Sequence, residues 1–180
     1  EIILEKIRKY QQSCQAHDID HSIRVLNLAN QIVKSLNEKV DLYLVQLSAL
    51  LHDIADHKFG HSQNDLEDRV FDCCQSINFK NPQNVIKIIQ NVSFSKGSIP
   101  ESLEGKIVQD ADRLDAVGAI GVARCFTYCG TAGHSIQMGI EHFDDKLFKL
   151  KDLMNTEQAK TIAQERHNFM KHFISQIQQE

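Results

Sequence analysis

Apolar residues recur at intervals of three and four positions through almost the whole chain, and this helical period limits the possible folds more than any other feature. Only 2 Pro and 8 Gly interrupt the pattern over 180 residues. In one segment the repeat is formed by Ile23, Leu26, Ala29, Ile32 and Leu36. An all-α protein is therefore predicted.

Polar residues and one proline mark where helices should begin. Asp20 precedes an apolar stripe and is predicted to be an N-cap, and Asp41 precedes the next stripe, which begins at Leu42. Asn81 followed by Pro82 predicts a cap and a first-turn proline. Thr156 is predicted to cap the last helix.

The connections between these helices indicate one domain. Apolar residues surround most of the helix at 42–51, which predicts a core helix enclosed by others. Residues 130–139 are predicted to be a looser segment, followed by a helix around 143–150. The sequence contains no internal repeat and no linker. We therefore expect a single domain over residues 1–180.

Charge and cysteine usage exclude several classes of protein. The net charge is −4, and the 20 Lys and Arg are scattered, which argues against an extended nucleic-acid surface. The longest apolar run falls well short of the roughly 20 residues that span a bilayer. The five Cys form no CxxC pair, which favours a reducing cytoplasm. A small anionic partner remains compatible with this composition, and the oligomeric state stays open.

The pair His52-Asp53 directly follows the run Ser48-Ala49-Leu50-Leu51, where apolar burial would be expected to continue. A buried carboxylate beside a buried imidazole is costly unless both are hydrogen-bonded, paired or bound to a cation. The alternative is a structural histidine at the C-terminus of a helix, where a cation suits the dipole.

Two further polar positions interrupt apolar stripes. His21 lies near the start of one helix, and Asp110 lies inside another. With His52 and Asp53 they form a set of two imidazoles and two carboxylates, which suits Mn²⁺, Mg²⁺, Co²⁺, Ni²⁺, Fe²⁺ or Zn²⁺. Positions left for water would indicate catalysis rather than scaffolding. Spacing alone does not establish that the four residues converge.

The order His, His-Asp, Asp resembles the HD-domain metal-dependent phosphohydrolases. Longer segments are similar to a bacterial branch of small stand-alone HD hydrolases, and the resemblance covers nearly the whole chain. These segments are 17–25 (HDIDHSIRV), 49–56 (ALLHDIAD), 93–97 (SFSKG), 104–116 (EGKIVQDADRLDA), 155–157 (NTE) and 165–167 (ERH).

The resemblance implies a helical bundle of the HD type that holds one divalent metal ion, with Mn²⁺ or Mg²⁺ favoured, through His21, His52, Asp53 and Asp110. It also implies hydrolysis of phosphoester or phosphoanhydride bonds by a metal-activated water, with nucleotides as the favoured substrates. Some members of this branch are nucleoside triphosphate pyrophosphohydrolases. The alternative is a non-catalytic nucleotide-binding or regulatory module that keeps the same cation site.

Other residues are candidates for supporting roles. Asp56, at i+4 from His52, can orient a ligand imidazole or accept a proton from the attacking water, or it is a solvated turn residue. Arg24 and Lys96 can bind phosphate or be plain surface cations. Arg113 can bind phosphate or neutralise a neighbouring carboxylate.

Extra histidines raise the question of a second metal. His57 and His61 follow the His-Asp pair closely, as binuclear HD relatives would require. No His occurs between His61 and Asp110, so the usual additional ligands of those relatives are absent and one metal is expected. His17 is a candidate to contact a metal ligand rather than the metal.

Overall fold

The computed structural model describes residues 1–11, 19–55, 62–92 and 98–180. These ranges form α-helices and one 3₁₀ helix, without a β-strand, which confirms the all-α prediction. No helix within them has the length and apolar character needed to cross a bilayer. The helices are α1 (Ile2–Gln11), α2 (Ile19–Ser35), α3 (Leu42–Leu51), α4 (Gln63–Ser76), α5 (Pro82–Val92), α6 (Leu103–Asp115), α7 (Gly118–Ala132), α8 (Ile136–Asp145), the 3₁₀ helix (Leu147–Leu153) and α9 (Glu157–Ile177).

The first compact unit of the chain, residues 1–111, is built around α3. This helix packs against α1, α2 and α5, and α4 packs against α1 and α5. Val45, Ala49 and Leu51 are completely buried, which confirms the predicted core helix. Its first turn reaches the surface, where Leu42 is 43% exposed.

Two of the three predicted helix starts agree with the structure. Asp41 accepts a hydrogen bond from the Leu44 amide, and Thr156 accepts one from the Ala159 amide. The helix α5 begins at Pro82. The prediction for Asp20 was wrong, because α2 already begins at Ile19 and Asp20 lies in its first turn, where a carboxylate still complements the helix dipole.

The second compact unit, residues 112–180, corrects the expectation for its middle. The helix α7 continues to Ala132 and α8 begins at Ile136, so the looser segment is only 133–135. Gly133 ends α7 in the left-handed region, with φ +69°, where glycine avoids the strain of a side chain.

The helix expected around 143–150 is instead the end of α8 followed by the 3₁₀ helix, because the backbone leaves the α-helical region at Lys146. The helix α7 packs against α8 and α9, and the 3₁₀ helix packs against α8 and α9. Phe143 is completely buried there, between the rings of Phe126 and Phe148. With two compact units in the chain, one domain over residues 1–180 stays a prediction.

Candidate metal centre

The first residue of the candidate centre is His21, in the first turn of α2. It lies four residues before Val25 and seven before Leu28, so it shares the buried face of an amphipathic helix. The residue is 5% exposed. Its imidazole therefore occupies a position where the helical period calls for an apolar side chain.

His52 and Asp53 lie directly after α3, and His52 is the C-cap residue of that helix. His52 follows Val45 by seven residues and Ala49 by three, so it continues the buried face of α3 and is 8% exposed. The side chain of Asp53, in the next position of the turn, is 27% exposed. Because α2 packs against α3, the two histidines meet.

The three side chains converge on one point. His21 Nε2 lies 3.1 Å from His52 Nε2. Asp53 Oδ2 lies 3.5 Å from His21 Nε2 and 3.4 Å from His52 Nε2. The structure thus places His21 beside the His52-Asp53 pair, an arrangement that the resemblance to HD-domain hydrolases implied. The role of these three residues as metal ligands stays a prediction.

A backbone contact determines the tautomer of His52. Its Nδ1 lies 2.8 Å from the carbonyl oxygen of Ala49, and a carbonyl can only accept, so Nδ1–H is the donor. In the neutral imidazole, Nε2 then carries a lone pair that faces His21 and Asp53. A metal-binding histidine is oriented in the same way, with its second nitrogen donating to a carbonyl.

The donor set fits a divalent cation. With bonds of about 2.1 Å, neighbouring ligand atoms lie about 3.0 Å apart in an octahedron and about 3.4 Å apart in a tetrahedron. The three observed separations, 3.1, 3.4 and 3.5 Å, fall close to these values. Two nitrogens and a carboxylate oxygen at such distances require either a shared proton or a cation between them.

Asp110, the fourth predicted ligand, lies in α6 and is completely buried. Among the described residues, the group whose donor atoms all lie within 4.8 Å of one another consists of His21, His52 and Asp53 and does not include Asp110. Its role as a fourth ligand stays a prediction.

The other predicted site residues are distributed as follows. Arg24 is half-buried one turn after His21 in α2. Arg113 is buried in α6, where its guanidinium donates to the carbonyl of Leu153, a structural contact that the sequence did not indicate. Their phosphate contacts stay predictions. Asp56 and Lys96, and the histidines at 17, 57 and 61, lie outside the described residues.

Sequence reasoning missed two polar residues that support this region. Gln109 is completely buried, and its Nε2 donates to the carbonyls of Asn91 and Ser98. Arg69 of α4 donates to the carbonyl of Ile54, the residue after Asp53. For Gln109 the signal was a polar residue beside Ile107 and Val108 in a buried stripe, whereas Arg69 left none.

Comparison with known proteins agrees with this geometry. The model of the HD domain family matches residues 18–117. The uncharacterized protein YpgQ of Bacillus subtilis is 42% identical over 193 aligned positions, which cover 98% of this chain and 92% of YpgQ.

Solved structures extend the similarity to the fold. The crystal structure of YpgQ matches with a TM-score of 0.78 at 38% identity, over 98% of this chain and 94% of YpgQ. The crystal structure of YpgQ in complex with ADP matches with a TM-score of 0.75 at 36% identity, over 98% of this chain and 96% of YpgQ. The structure of an HD-superfamily hydrolase of Bacillus thuringiensis matches with a TM-score of 0.78 at 34% identity, over 98% of this chain and 93% of the hydrolase. The chain therefore belongs to the HD domain family and has the HD fold.

Proposed function

We propose that this chain is a metal-dependent phosphohydrolase of nucleotides, with one divalent cation, Mn²⁺ or Mg²⁺ in preference, held by His21, His52, Asp53 and Asp110. The observation that carries the proposal is the convergence of two buried imidazole nitrogens and one carboxylate oxygen within 4.8 Å. The Ala49 carbonyl supports it, because it leaves the His52 Nε2 lone pair directed into the group.

Nucleotides are the substrate class that the comparisons favour. YpgQ has been crystallised with ADP, and the similarity extends over 98% of this chain. A nucleoside triphosphate pyrophosphohydrolase is the finer form of the proposal. The similar HD-superfamily hydrolase of Bacillus thuringiensis supports hydrolysis rather than binding alone.

Each protein group has a distinct task in this reaction. A divalent cation, when bound, lowers the pKa of a coordinated water from 15.7 toward about 7 and stabilises charge on phosphoryl oxygens. His21 and His52 are less than 10% exposed and exclude solvent from one side. Asp53 is 27% exposed, so water and substrate approach from its side. We assign phosphate binding to Arg24, Lys96 and Arg113, and proton acceptance to Asp56 together with Asp53.

We also propose a cytoplasmic location. The thiols of the four described cysteines are free, as a reducing compartment requires; they are Cys73, Cys74, Cys125 and Cys129.

The decisive experiment compares Asp53→Ala with the control Asp68→Ala, which changes an exposed carboxylate of α4. Loss of a residue that only supports a ligand costs 10–100-fold in metal affinity, so loss of a ligand should cost at least about 100-fold. Mn²⁺ binding is measured by calorimetry, and products from a panel of ribo- and deoxyribonucleotides are separated by chromatography. Asp53→Ala should lose Mn²⁺ and turnover together, and Asp68→Ala should keep both.

Retained turnover in a metal-free Asp53→Ala protein would refute the proposal. Nucleotide binding without turnover, under every divalent metal, would instead favour a regulatory module. Release of pyrophosphate, orthophosphate or a monoester would identify the bond that is cleaved.

A further inference from the structure

Arg69 connects α4 to the turn that carries the candidate metal ligands. Its Nη1 donates to the carbonyl of Ile54 at 2.7 Å, and Ile54 is the residue directly after Asp53. The guanidinium is half-buried, whereas the side chains of Ile54 and Ala55 are buried. The charged side chain of Arg69 therefore binds the backbone of this turn within the first unit.

The turn needs such a donor because it follows the end of a helix. Ile54 lies three residues beyond the last residue of α3, so its carbonyl is not bonded within the helix, and a cation close to a helix C-terminus also complements the dipole. The Ile54 amide donates back to the Leu51 carbonyl, so the amide side of the turn is already bonded. Arg69 supplies the bond to its carbonyl.

The guanidinium of Arg69 also contacts an aromatic ring of α1. Arg69 lies over the ring of Tyr10, 5.2 Å from its centroid, which is within range of a cation–π contact. The Tyr10 hydroxyl donates to Asp72 Oδ2 at 2.6 Å, and Lys6 Nζ donates to the same oxygen at 2.6 Å. Residues of α1 and α4 thus orient Arg69 toward the end of α3.

We propose that Arg69 is a positioning residue for the metal centre. By holding the Ile54 carbonyl, it keeps the preceding Asp53 carboxylate within reach of His21 and His52, and in this way it sets the affinity for the cation. This inference rests on the proposed function, since it concerns the same site. It assigns a task to a residue that lies on a different helix from each of the three converging side chains.

The test uses the full chain with Arg69→Met, which removes the donor and the charge but keeps an unbranched apolar stem. Arg69→Lys restores a charge and a donor. Arg8→Met, at an exposed position of α1, is the matched control. Mn²⁺ affinity is measured by calorimetry without nucleotide. The values of kcat and KM are then measured at saturating Mn²⁺, and folding is checked by circular dichroism.

Arg69→Met should weaken Mn²⁺ binding by about 10-fold to 100-fold, the usual effect of losing a residue that supports a metal ligand. At saturating Mn²⁺ its kcat and its KM for nucleotide should return to within about twofold of the original protein, because Arg69 acts through the metal site only. The Mn²⁺ affinity of Arg69→Lys should lie between those of Arg69→Met and the original protein, and the Mn²⁺ affinity of Arg8→Met should equal that of the original protein. A purely structural role would lower the unfolding temperature without changing the Mn²⁺ affinity of the folded protein.

Unchanged Mn²⁺ affinity in folded Arg69→Met would overturn the positioning role. A raised KM with unchanged Mn²⁺ affinity would overturn it as well, since Arg69 would then bind phosphate. Should Arg69→Met fail to fold, Tyr10→Leu removes the aromatic support and should weaken Mn²⁺ binding about threefold, the size of a cation–π contact. Unchanged affinity there would also contradict the inference. If the original chain binds no Mn²⁺, both the proposed function and the positioning role are contradicted. If turnover depends on the metal but Arg69→Met keeps the original Mn²⁺ affinity, only the positioning role is contradicted.

Discussion

Gln109 allows a direct test of how the region next to Asp110 is held together. Its side chain is completely buried in α6, and its Nε2 donates to the Asn91 carbonyl at 3.0 Å and to the Ser98 carbonyl at 2.8 Å. The first acceptor lies near the end of α5, and the second lies on the far side of the segment that contains Lys96. One amide therefore connects both sides of that segment to α6.

Gln109→Leu should destabilise the protein by about 2–4 kcal/mol. Two hydrogen bonds of about 1 kcal/mol each are lost, and the Ser98 carbonyl oxygen, which loses the Gln109 donor, costs about 1–3 kcal/mol more. The apolar leucine side chain recovers about 1 kcal/mol in the buried position. For a chain of this length, the unfolding temperature should fall by roughly 4–16 °C.

Urea unfolding followed by circular dichroism, with a chelator present, measures this change without any contribution from bound metal. The control is Gln63→Leu, because Gln63 is exposed and its Nε2 donates to Glu67 one turn along α4. Such a pair is worth about 0.2–0.5 kcal/mol. A loss below about 0.5 kcal/mol in Gln109→Leu would mean that the buried amide does not hold these elements together.

Two pH effects follow from burial. Burial raises the pKa of Cys73 from 9.0 to about 12 and that of Cys74 from 9.0 to about 11, so both thiols should react slowly at pH 8 in the folded protein and rapidly in urea. Since the unfolded chain loses these protons first, stability should fall as the pH rises from 9 toward 12, and a flat alkaline profile would contradict this. Burial, with Lys151 and Lys171 nearby, lowers the pKa of His167 below its usual 6.5, so the unfolded chain binds the proton more readily and stability should decrease as the pH falls through 6.5. His167→Gln should reduce this loss of stability at acid pH, as measured by the urea midpoints of unfolding from pH 7.5 to 5. An equally steep loss in His167→Gln would exclude His167 as its cause.

Most helix positions, and the places of His21 and His52 on buried stripes, could be predicted because both depend on periodicity along the chain. His21 and His52 occupy positions on buried stripes, and a polar residue there must have a partner. The cap at Thr156 is equally local, since its hydroxyl accepts from the amide of Ala159, three residues ahead. The loose segment at 130–139 was overestimated because its glycines suggested a break, yet α7 continues through Gly130.

Contacts between distant elements could not be predicted in this way. Arg69 and Ile54 are 15 residues apart, and Gln109 and Asn91 are 18 apart, in different helices or turns. A side chain that bonds a backbone carbonyl needs no particular residue type at the acceptor, so the sequence does not indicate which carbonyl is bonded. Such contacts depend on how the helices pack, which periodicity alone does not determine.

The exposure of the three donors explains why the sequence indicated a cation site more clearly than a substrate. His21 and His52 are buried, and burial of a polar group breaks the apolar pattern visibly. A group that contacts a substrate must face solvent, where polar residues are common and therefore give no signal in the sequence. Asp53 is 27% exposed and Arg24 is half-buried, so these more exposed polar residues carry the weaker signal. Identifying a substrate therefore requires product analysis, whereas the candidate cation site can be tested by single substitutions.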